Sequence, residues 1–318
     1  MSGREAIGVD LGGTKLATGV VDSELNVLHE SRESSTGRSE DEVVAAIEQE
    51  LREALEARPG VVGAGLGIPC TIDRERGVAI NAVNLEITDV PIRDMMRERL
   101  GIPVFLDNDA NCAALAEHRF GAAKGAENAL LLTIGTGIGG GIIVNRQVYR
   151  GSTGAAAELG HVVVEEDGPP CQGTCPNHGC VETMASGTAL AREGTAAAGR
   201  HPESMLARSL QEGGVSGKVV TEAALAGDAV ALEVVAEAGR HLGVALASLV
   251  NTFDPDVVVI GGGVAAGAGE LLVDPAREEM RRRALPPMNG THVRLAELGP
   301  DAGMIGAAQM ALEELAET

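Results

Sequence analysis

Asp109 is the carboxylate in this sequence whose surroundings best suit chemistry. It follows the apolar run IPVFL, which predicts a short buried strand, and it precedes ANCAALAEHRFG, which predicts a helix. The turn from a strand into the next helix is where α/β folds place reactive groups. Asn108 and Asp109 also suit a helix cap, because Asn and Asp are preferred there. The local pattern therefore leaves two roles open for Asp109, a cap and an acid or base.

Two glycine-rich turns are candidates for phosphate binding. The first is DLGGTK, residues 10–15, and the second is TIGTGIGGG, residues 133–141, each lying between two predicted strands. Adjacent glycines let backbone amides approach an anion closely. A plain β-hairpin also favours Gly in its turn, but five glycines within 135–141 indicate a ligand at the backbone. Neither turn has the spacing of a Walker loop or of a dinucleotide-binding fingerprint.

A third glycine turn, Gly261–Gly263, follows the apolar run DVVVI and precedes a predicted helix. An anion or a purine could bind at such a helix start. A strand-to-helix turn also tolerates Gly without any ligand, so both interpretations stay open for this turn.

A cluster of cysteines is a candidate metal site. Cys171, Cys175 and Cys180 lie within ten residues, and His161 lies upstream of them. Three thiolates and one imidazole are a known ligand set of tetrahedral structural zinc. His178 is an alternative fourth ligand. The alternative for the whole cluster is three reduced thiols without a metal.

Alternating strands and helices must position these groups. A third strand over NVLHESRES and a helix from Ser39 follow the first turn, and Glu42 is expected to complete a capping box with Ser39. The apolar face of that helix carries Val43, Ile47 and Leu51, and its Glu and Arg residues are predicted to face solvent. After Lys124 the strand, turn, strand pattern begins again, which indicates an internal duplication.

The rest of the second part is predicted to be mainly helical. The stretch 221–255 predicts one long apolar core helix, THVRLAEL predicts the final strand, and AGMIGAAQMALEELAE predicts the closing helix. Strands that alternate with helices in both parts of the chain predict the α/β class.

Composition excludes several functions. The chain has 318 residues and a net charge of −21, and its 25 Lys and Arg form no concentrated run, which argues against binding to a nucleic-acid backbone. Aromatic residues make up only 1%, which argues against base-stacking platforms. We expect a cytoplasmic protein with no membrane contact, because long apolar runs and a signal-peptide pattern are both missing. Cys70 and Cys112 stand beside apolar stretches and are predicted to be buried.

Taken in order, the motifs resemble those of the ROK sugar kinases: DLGGTK, then NDAN with its aspartate, GTGIGGG, and ELGH followed by the cysteine cluster and Glu182. The resemblance covers essentially the whole chain. It implies an α/β fold of two duplicated actin-like (ribonuclease H-like) domains with a cleft between them. We therefore expect a small domain over 1–115, to which a C-terminal helix over 303–318 returns, and a large domain over 116–302 with a zinc knuckle at 161–180.

The resemblance implies ATP-dependent phosphorylation of a hexose at its 6-hydroxyl, with glucose as the first expectation. N-Acetylmannosamine, N-acetylglucosamine and fructose are the alternative substrates. Asp109 matches the family's catalytic base, Mg²⁺ accompanies ATP, and family members are often dimers or tetramers, so we expect a homodimer or homotetramer. The residues that match sugar ligands are Asn84, Asn108, Glu158, His161 and Glu182. The residues that match the ATP and phosphate site are Asp10, Gly12, Gly13, Thr14, Lys15, Gly135, Thr136, Gly137, Gly262 and Gly263. The residues that match zinc ligands are His161, Cys171, Cys175 and Cys180, with His161 also a sugar contact.

The sequence departs from the family pattern at several positions. Three residues separate Cys171 from Cys175, where the family usually has one. Cys70 and Ala157 each stand where glycine is common, and a family Trp is replaced within EITDV. The family also contains sugar-responsive repressors with an N-terminal DNA-binding domain. Because the first phosphate motif begins at Asp10, which leaves no room for such a domain, we expect an enzyme.

Overall fold

The computed structural model describes residues 3–12, 15–35, 37–82, 87–173 and 175–317. The strands are β1 (Glu5–Leu11), β2 (Lys15–Asp22), β3 (Val27–Ser34), β4 (Ala64–Ile68), β5 (Thr71–Asp73), β6 (Val78–Asn81), β7 (Thr88–Val90), β8 (Val104–Asn108), β9 (Ala129–Ile134), β10 (Ile138–Val144), β11 (Gln147–Val148), β12 (Val257–Gly261) and β13 (His292–Leu295). The helices are α1 (Glu40–Ala57), α2 (Ile92–Leu100), α3 (Asp109–Phe120), α4 (Val181–Ala185), α5 (Gly187–Arg200), α6 (Met205–Glu212), α7 (Gly217–Leu225), α8 (Ala229–Phe253), α9 (Gly262–Ala268), α10 (Glu270–Arg283) and α11 (Ala302–Glu317).

Two five-stranded sheets repeat one pattern. The first has the order β3-β2-β1-β4-β8, and the second has the order β11-β10-β9-β12-β13. In each sheet an antiparallel hairpin, β1–β2 or β9–β10, is followed by two strands parallel to its first strand. The shared order confirms the predicted α/β class and the duplicated hairpins. A small antiparallel sheet of β5, β6 and β7 lies beside the first half and was not predicted.

Helix α1 begins as its sequence predicts. The backbone N–H of Ser39 donates to Oε2 of Glu42 at 2.8 Å, which is the expected capping box. Val43, Ile47 and Leu51 are buried in the core of the first sheet, so the predicted apolar face is confirmed.

Two local predictions were wrong. Glu50 is only 2% exposed, although the charged residues of α1 were expected to face solvent, and its carboxylate accepts a hydrogen bond from the Ser31 hydroxyl at 3.2 Å. The helix predicted over 221–255 is two helices, α7 and α8. It is interrupted because Gly227 has φ +86° and the Asp228 carboxylate caps α8 by accepting the N–H of Ala231 at 2.9 Å.

Helices α3 and α11 lie between the two sheets and fix where Asp109 sits. Glycines permit this close packing: a Cβ on Gly8 of β1 would lie 1.9 Å from the Met304 carbonyl oxygen of α11, and one on Gly65 of β4 would lie 1.8 Å from that of Ala307. Residues from both sheets and from both helices share one apolar cluster. The closing helix therefore packs on the first sheet, and α3 carries the chain from the first sheet toward the second. Among the described helices, none combines the length and the apolar character needed to cross a bilayer.

Candidate active site

Asp109 is the first residue of α3, directly after β8. The cap is the preceding residue, because the Asn108 side-chain oxygen accepts the N–H groups of Ala110 at 3.0 Å and Asn111 at 3.3 Å. Asp109 Oδ1 accepts the N–H of Ala110 at 2.8 Å. Capping is thus explained by Asn108, and the other role considered for Asp109, an acid or base, remains.

A cavity of about 180 Å³ lies in front of Asp109. Burial, together with the negative charges of Asp10 and Glu158, raises the pKa of Asp109 to about 7. The pKa of Asp10 is raised to about 6, also by burial, while the charge of Lys15 opposes the shift. A carboxylate whose pKa lies near neutrality suits a general base. The lining of the cavity includes Asp10, Asp109, Thr133, Gly262, Ala302 and Gly303.

The first glycine turn reaches this cavity from β1. The N–H of Gly12 donates to the carbonyl of Lys15 at 2.7 Å, and the hydroxyl of Ser35 donates to the carbonyl of Gly12 at 2.7 Å. A Cβ on Gly303, at the start of α11, would lie 2.5 Å from Cγ of Asp10, so the helix start is packed against that carboxylate. The predicted ligands Gly13, Thr14 and Asn84 lie outside the described residues.

The second glycine turn is anchored to the start of α5. The N–H of Gly135 donates to the carbonyl of Gly137 at 2.9 Å, which closes the turn. The carbonyl of Thr136 accepts the hydroxyl of Thr188 at 2.8 Å, and the carbonyl of Gly135 accepts the N–H of Gly187 at 2.8 Å. Gly135 has open space beside it, since no atom lies within 4 Å of an added Cβ.

The third glycine turn lies against the second. Gly262 has φ +87°, and a Cβ there would lie 2.4 Å from the carbonyl oxygen of Ile134. Gly261 pairs with Thr133 in the parallel ladder of β12 and β9. Gly263 is open, with no atom within 4 Å of an added Cβ. Both turns therefore meet at the carboxyl ends of parallel strands, the edge where α/β folds bind ligands.

Packing explains three of the five glycines that were attributed to a ligand. Gly139, Gly140 and Gly141 lie within β10 rather than in the turn. A Cβ on Gly141 would lie 2.4 Å from Cβ of Ala114 on α3, and one on Gly140 would lie 2.4 Å from the carbonyl oxygen of Ala157. The count of five glycines therefore overstated the case for a ligand, because only Gly135 and Gly137 belong to the turn itself.

The predicted sugar ligands Glu158, His161 and Glu182 lie close together. Glu158 Oε2 is 3.9 Å from His161 Nε2. Desolvation raises the pKa of Glu158, His161 lowers it, and the charge of Glu182 raises it. The Glu182 carboxylate accepts the N–H of Ile138 at 2.8 Å, which places it beside the second glycine turn. A Cβ on Gly137 would lie 2.3 Å from that carboxylate, so Gly137 makes room for it.

The cysteine cluster forms as the sequence predicts. One ligand atom each from His161, Cys171, Cys175 and Cys180 lie within 4.8 Å of one another. Tetrahedral zinc with bonds of about 2.3 Å to sulfur and about 2.0 Å to nitrogen needs S···S edges of about 3.8 Å and S···N edges of about 3.5 Å. The Sγ atoms of Cys175 and Cys180 are 3.9 Å apart, and Cys171 Sγ is 3.4 Å from His161 Nδ1. The donor set therefore fits zinc despite the wide spacing of the first two cysteines.

His178, the alternative fourth ligand, points elsewhere: its Nδ1 lies 3.1 Å from the carbonyl oxygen of Gly168. Cys70 and Cys112 are buried, as predicted. Burial, together with the nearby charge of Asp109, raises the pKa of the Cys70 thiol to about 12.

Two buried carboxylates near the site were missed in the sequence. Asp107, with a side chain 4% exposed, pairs with Arg150 at 2.7 Å. Glu117, 1% exposed, accepts the N–H groups of Ala122 and Leu298 at 2.8 Å each. An acid at the end of an apolar strand was the available signal for Asp107. Glu117 gave none, because an acid on a helix usually faces solvent.

Comparison with known proteins agrees with this geometry. The sequence profile described as the ROK family matches residues 6–314. The glucokinase of Halalkalibacterium halodurans is 38% identical over 322 aligned residues, which cover 99% of this chain and 97% of that protein. The glucokinase of Streptomyces coelicolor is 38% identical and is aligned over 96% of this chain and 97% of its own length.

Solved structures of ROK family enzymes also match this chain. The ROK family glucokinase from Streptomyces griseus, in complex with glucose and AMPPNP, matches with a TM-score of 0.87 and 39% identity, over 97% of this chain and 99% of that one. The ROK hexokinase from Thermus thermophilus matches with a TM-score of 0.79 and 39% identity, over 99% of this chain and all of that one (100%).

Proposed function

We propose that this chain, which belongs to the ROK family, is a glucokinase. It would transfer the γ-phosphoryl group of ATP to the 6-hydroxyl of glucose. The observation that carries the proposal is the full-length match, at 39% identity, to a glucokinase solved with glucose and AMPPNP. The predicted fold class is confirmed by the same match. Asp109 beside the cavity supplies the carboxylate that such a transfer requires.

Asp109 acts as the base. It accepts the proton of the 6-hydroxyl as that oxygen bonds to the γ-phosphorus of ATP, and the bond from the γ-phosphorus to the bridging oxygen breaks to release ADP. The raised pKa of Asp109 supports this role, because a carboxylate with a pKa of about 7 accepts a proton more readily than an ordinary aspartate.

The glycine turns bind ATP. Backbone N–H groups of open turns suit phosphate oxygens, and the lack of any atom beside Gly135 and Gly263 leaves room for a ligand. Asp10 would hold Mg²⁺, which neutralises phosphate charge when bound. The proposed ATP residues are Asp10, Gly12, Gly13, Thr14, Lys15, Gly135, Thr136, Gly137, Gly262 and Gly263.

The sugar binds next to Asp109. Its hydroxyl groups need several convergent donors and acceptors, and amide, carboxylate and imidazole groups supply both. The Glu182 carboxylate would accept hydrogen bonds from the sugar. One of its oxygens already accepts the N–H of Ile138. The proposed sugar residues are Asn84, Asn108, Glu158, His161 and Glu182.

Zinc has a structural role in this proposal. The Nδ1 atom of His161 faces Cys171, and the Nε2 atom faces Glu158. A metal on Nδ1 would fix the ring and leave Nε2 as a donor toward the sugar side. We further propose the domain bounds of 1–115 with helix 303–318, and of 116–302, together with a homo-oligomer in solution.

A coupled ADP-release assay tests the proposal. We expect turnover with Mg-ATP and glucose to exceed turnover with N-acetylmannosamine, N-acetylglucosamine, fructose or mannose, each compared by kcat/KM. ATP and polyphosphate are compared as phosphate donors in parallel. A chain that turns over another sugar more efficiently than glucose contradicts the proposed substrate, and a chain without any sugar-dependent ADP release contradicts the proposed reaction.

A further inference from the structure

Asp107 is a buried anion directly before the turn that carries Asp109. Its side chain is 4% exposed. Oδ1 accepts the backbone N–H of Asn108 at 2.8 Å and the side-chain amide of Asn111 at 3.0 Å. One carboxylate oxygen therefore holds both the residue that caps α3 and a side chain of its first turn.

Arg150 occupies the other oxygen. Its Nε and Nη2 atoms each lie 2.7 Å from Oδ2 of Asp107, and its Nη1 donates to the carbonyl of Val148 at 3.3 Å. Asp107 lies in β8 of the first sheet, one residue before the strand ends, whereas Arg150 follows β11 of the second sheet. This ion pair between a buried carboxylate and a partly exposed arginine therefore links the two sheets beside Asp109.

The backbone of Arg150 closes the loop that leads to Glu158. Its carbonyl accepts the N–H of Ala156 at 3.2 Å. A Cβ on Gly154 would lie 2.2 Å from the carbonyl oxygen of Ile72, so the same loop is packed on β5 of the first half. One residue thus fixes the loop through its carbonyl and the Asp109 turn through its side chain.

We propose that Arg150 is a positioning residue that sets the placement of Asp109 relative to Glu158. The inference rests on the proposed function, in which one sugar contacts both residues. The hydrogen bonds that Asp107 accepts from Asn108 and Asn111 keep the Asp109 turn folded without Arg150. Loss of the Arg150 side chain therefore removes only the contact between this turn and the loop that leads to Glu158. A misplacement of about 1 Å between such groups costs about 100-fold in rate.

Arg150→Gln and Arg150→Lys test this inference, and Arg119→Gln is the matched control. The side chains of Arg119 and Arg150 are both 25% exposed, and Arg119 Nε pairs with Glu313 at 2.7 Å on the far end of α3. Arg74 Nε also lies 4.0 Å from Oδ2 of Asp107, so a second cation is near the buried carboxylate when Arg150 is replaced. Arg150→Lys retains the charge at position 150 itself and serves if the Gln variant does not fold.

We expect kcat/KM for glucose to fall about 100-fold in Arg150→Gln, with a raised KM for glucose and a KM for ATP close to that of the wild type. Arg150→Lys should recover only part of the lost kcat/KM, because its ammonium retains the charge but cannot replace both guanidinium donors. Arg119→Gln should stay within a factor of about five of the wild type. A folded Arg150→Gln variant with the glucose kinetics of Arg119→Gln overturns the inference.

Amide hydrogen exchange separates this inference from the proposed function. We expect Arg150→Gln to speed exchange in both segments 107–112 and 150–158, whereas Arg119→Gln leaves both unchanged. Wild-type protein without glucose turnover would refute the proposed function. The exchange data would still show whether Arg150 links segments 107–112 and 150–158. Unchanged exchange in either segment of Arg150→Gln contradicts the linkage.

Discussion

The pH dependence of glucose phosphorylation tests the surroundings of Asp109. Burial, with smaller contributions from the charges of Asp10 and Glu158, raises the pKa of Asp109 from 3.8 to about 7. Only the ionised carboxylate accepts a proton, so activity is lost as the pH falls through the raised pKa. We expect kcat/KM for glucose to be level above about pH 8 and to fall about tenfold per unit below pH 7. Because Asp10 and Asp109 interact, the midpoint is an apparent value for the pair.

The assay is the initial rate of ADP release at glucose concentrations far below KM, from pH 5 to pH 9 at constant ionic strength. Doubling the coupling enzymes at each pH checks that they do not limit the rate. Glu158→Gln removes one charge that raises the pKa of Asp109, so the midpoint should move to lower pH, whatever happens to the absolute rate. A wild-type midpoint between pH 4 and pH 5, typical of a solvated aspartate, would refute the reasoning.

Three further predictions concern metal content and stability. Protein purified without added metal should contain one zinc per chain by elemental analysis, and Cys175→Ser should lose it; a content near zero in the wild type contradicts the metal site. Gly141→Ala should lower the free energy of unfolding by about 1–3 kcal/mol in urea, because its Cβ would lie 2.4 Å from that of Ala114, whereas Gly135→Ala, with open space, should keep wild-type stability; equal effects would refute the packing argument. Burial raises the pKa of Glu50, so the folded state binds its proton more tightly and the wild type loses stability as the pH rises. The stability of Glu50→Gln relative to the wild type should therefore increase as the pH rises above 4.5, the ordinary pKa of a glutamate, and a relative stability that falls as the pH rises contradicts this assignment.

Local patterns in the sequence predicted much of the fold. The paired hairpins, the capping box at Ser39 and the apolar face of α1 each depend on residues close together in the chain, where periodicity and capping rules apply. The zinc ligands were found for a different reason. Cys171, Cys175 and Cys180 are chemically distinctive, and their clustering required no knowledge of the fold.

Contacts between distant segments could not be predicted. Asp107 meets a partner 43 residues away, and Glu117 meets a backbone N–H 181 residues away. Neither pair leaves a periodic signal in the sequence. Gly141 shows the converse problem, because a glycine needed for helix packing and one needed for a ligand look alike until the neighbouring helix is placed.

The rate of glucose phosphorylation by Asp109→Asn tests the central claim most directly. The amide keeps the size of the side chain but cannot accept the proton, so kcat should fall about 10²- to 10⁴-fold. Binding of glucose and ATP, measured by calorimetry, should remain close to that of the wild type. A folded Asp109→Asn variant that keeps more than about a hundredth of wild-type kcat would contradict the assignment of Asp109 as the base.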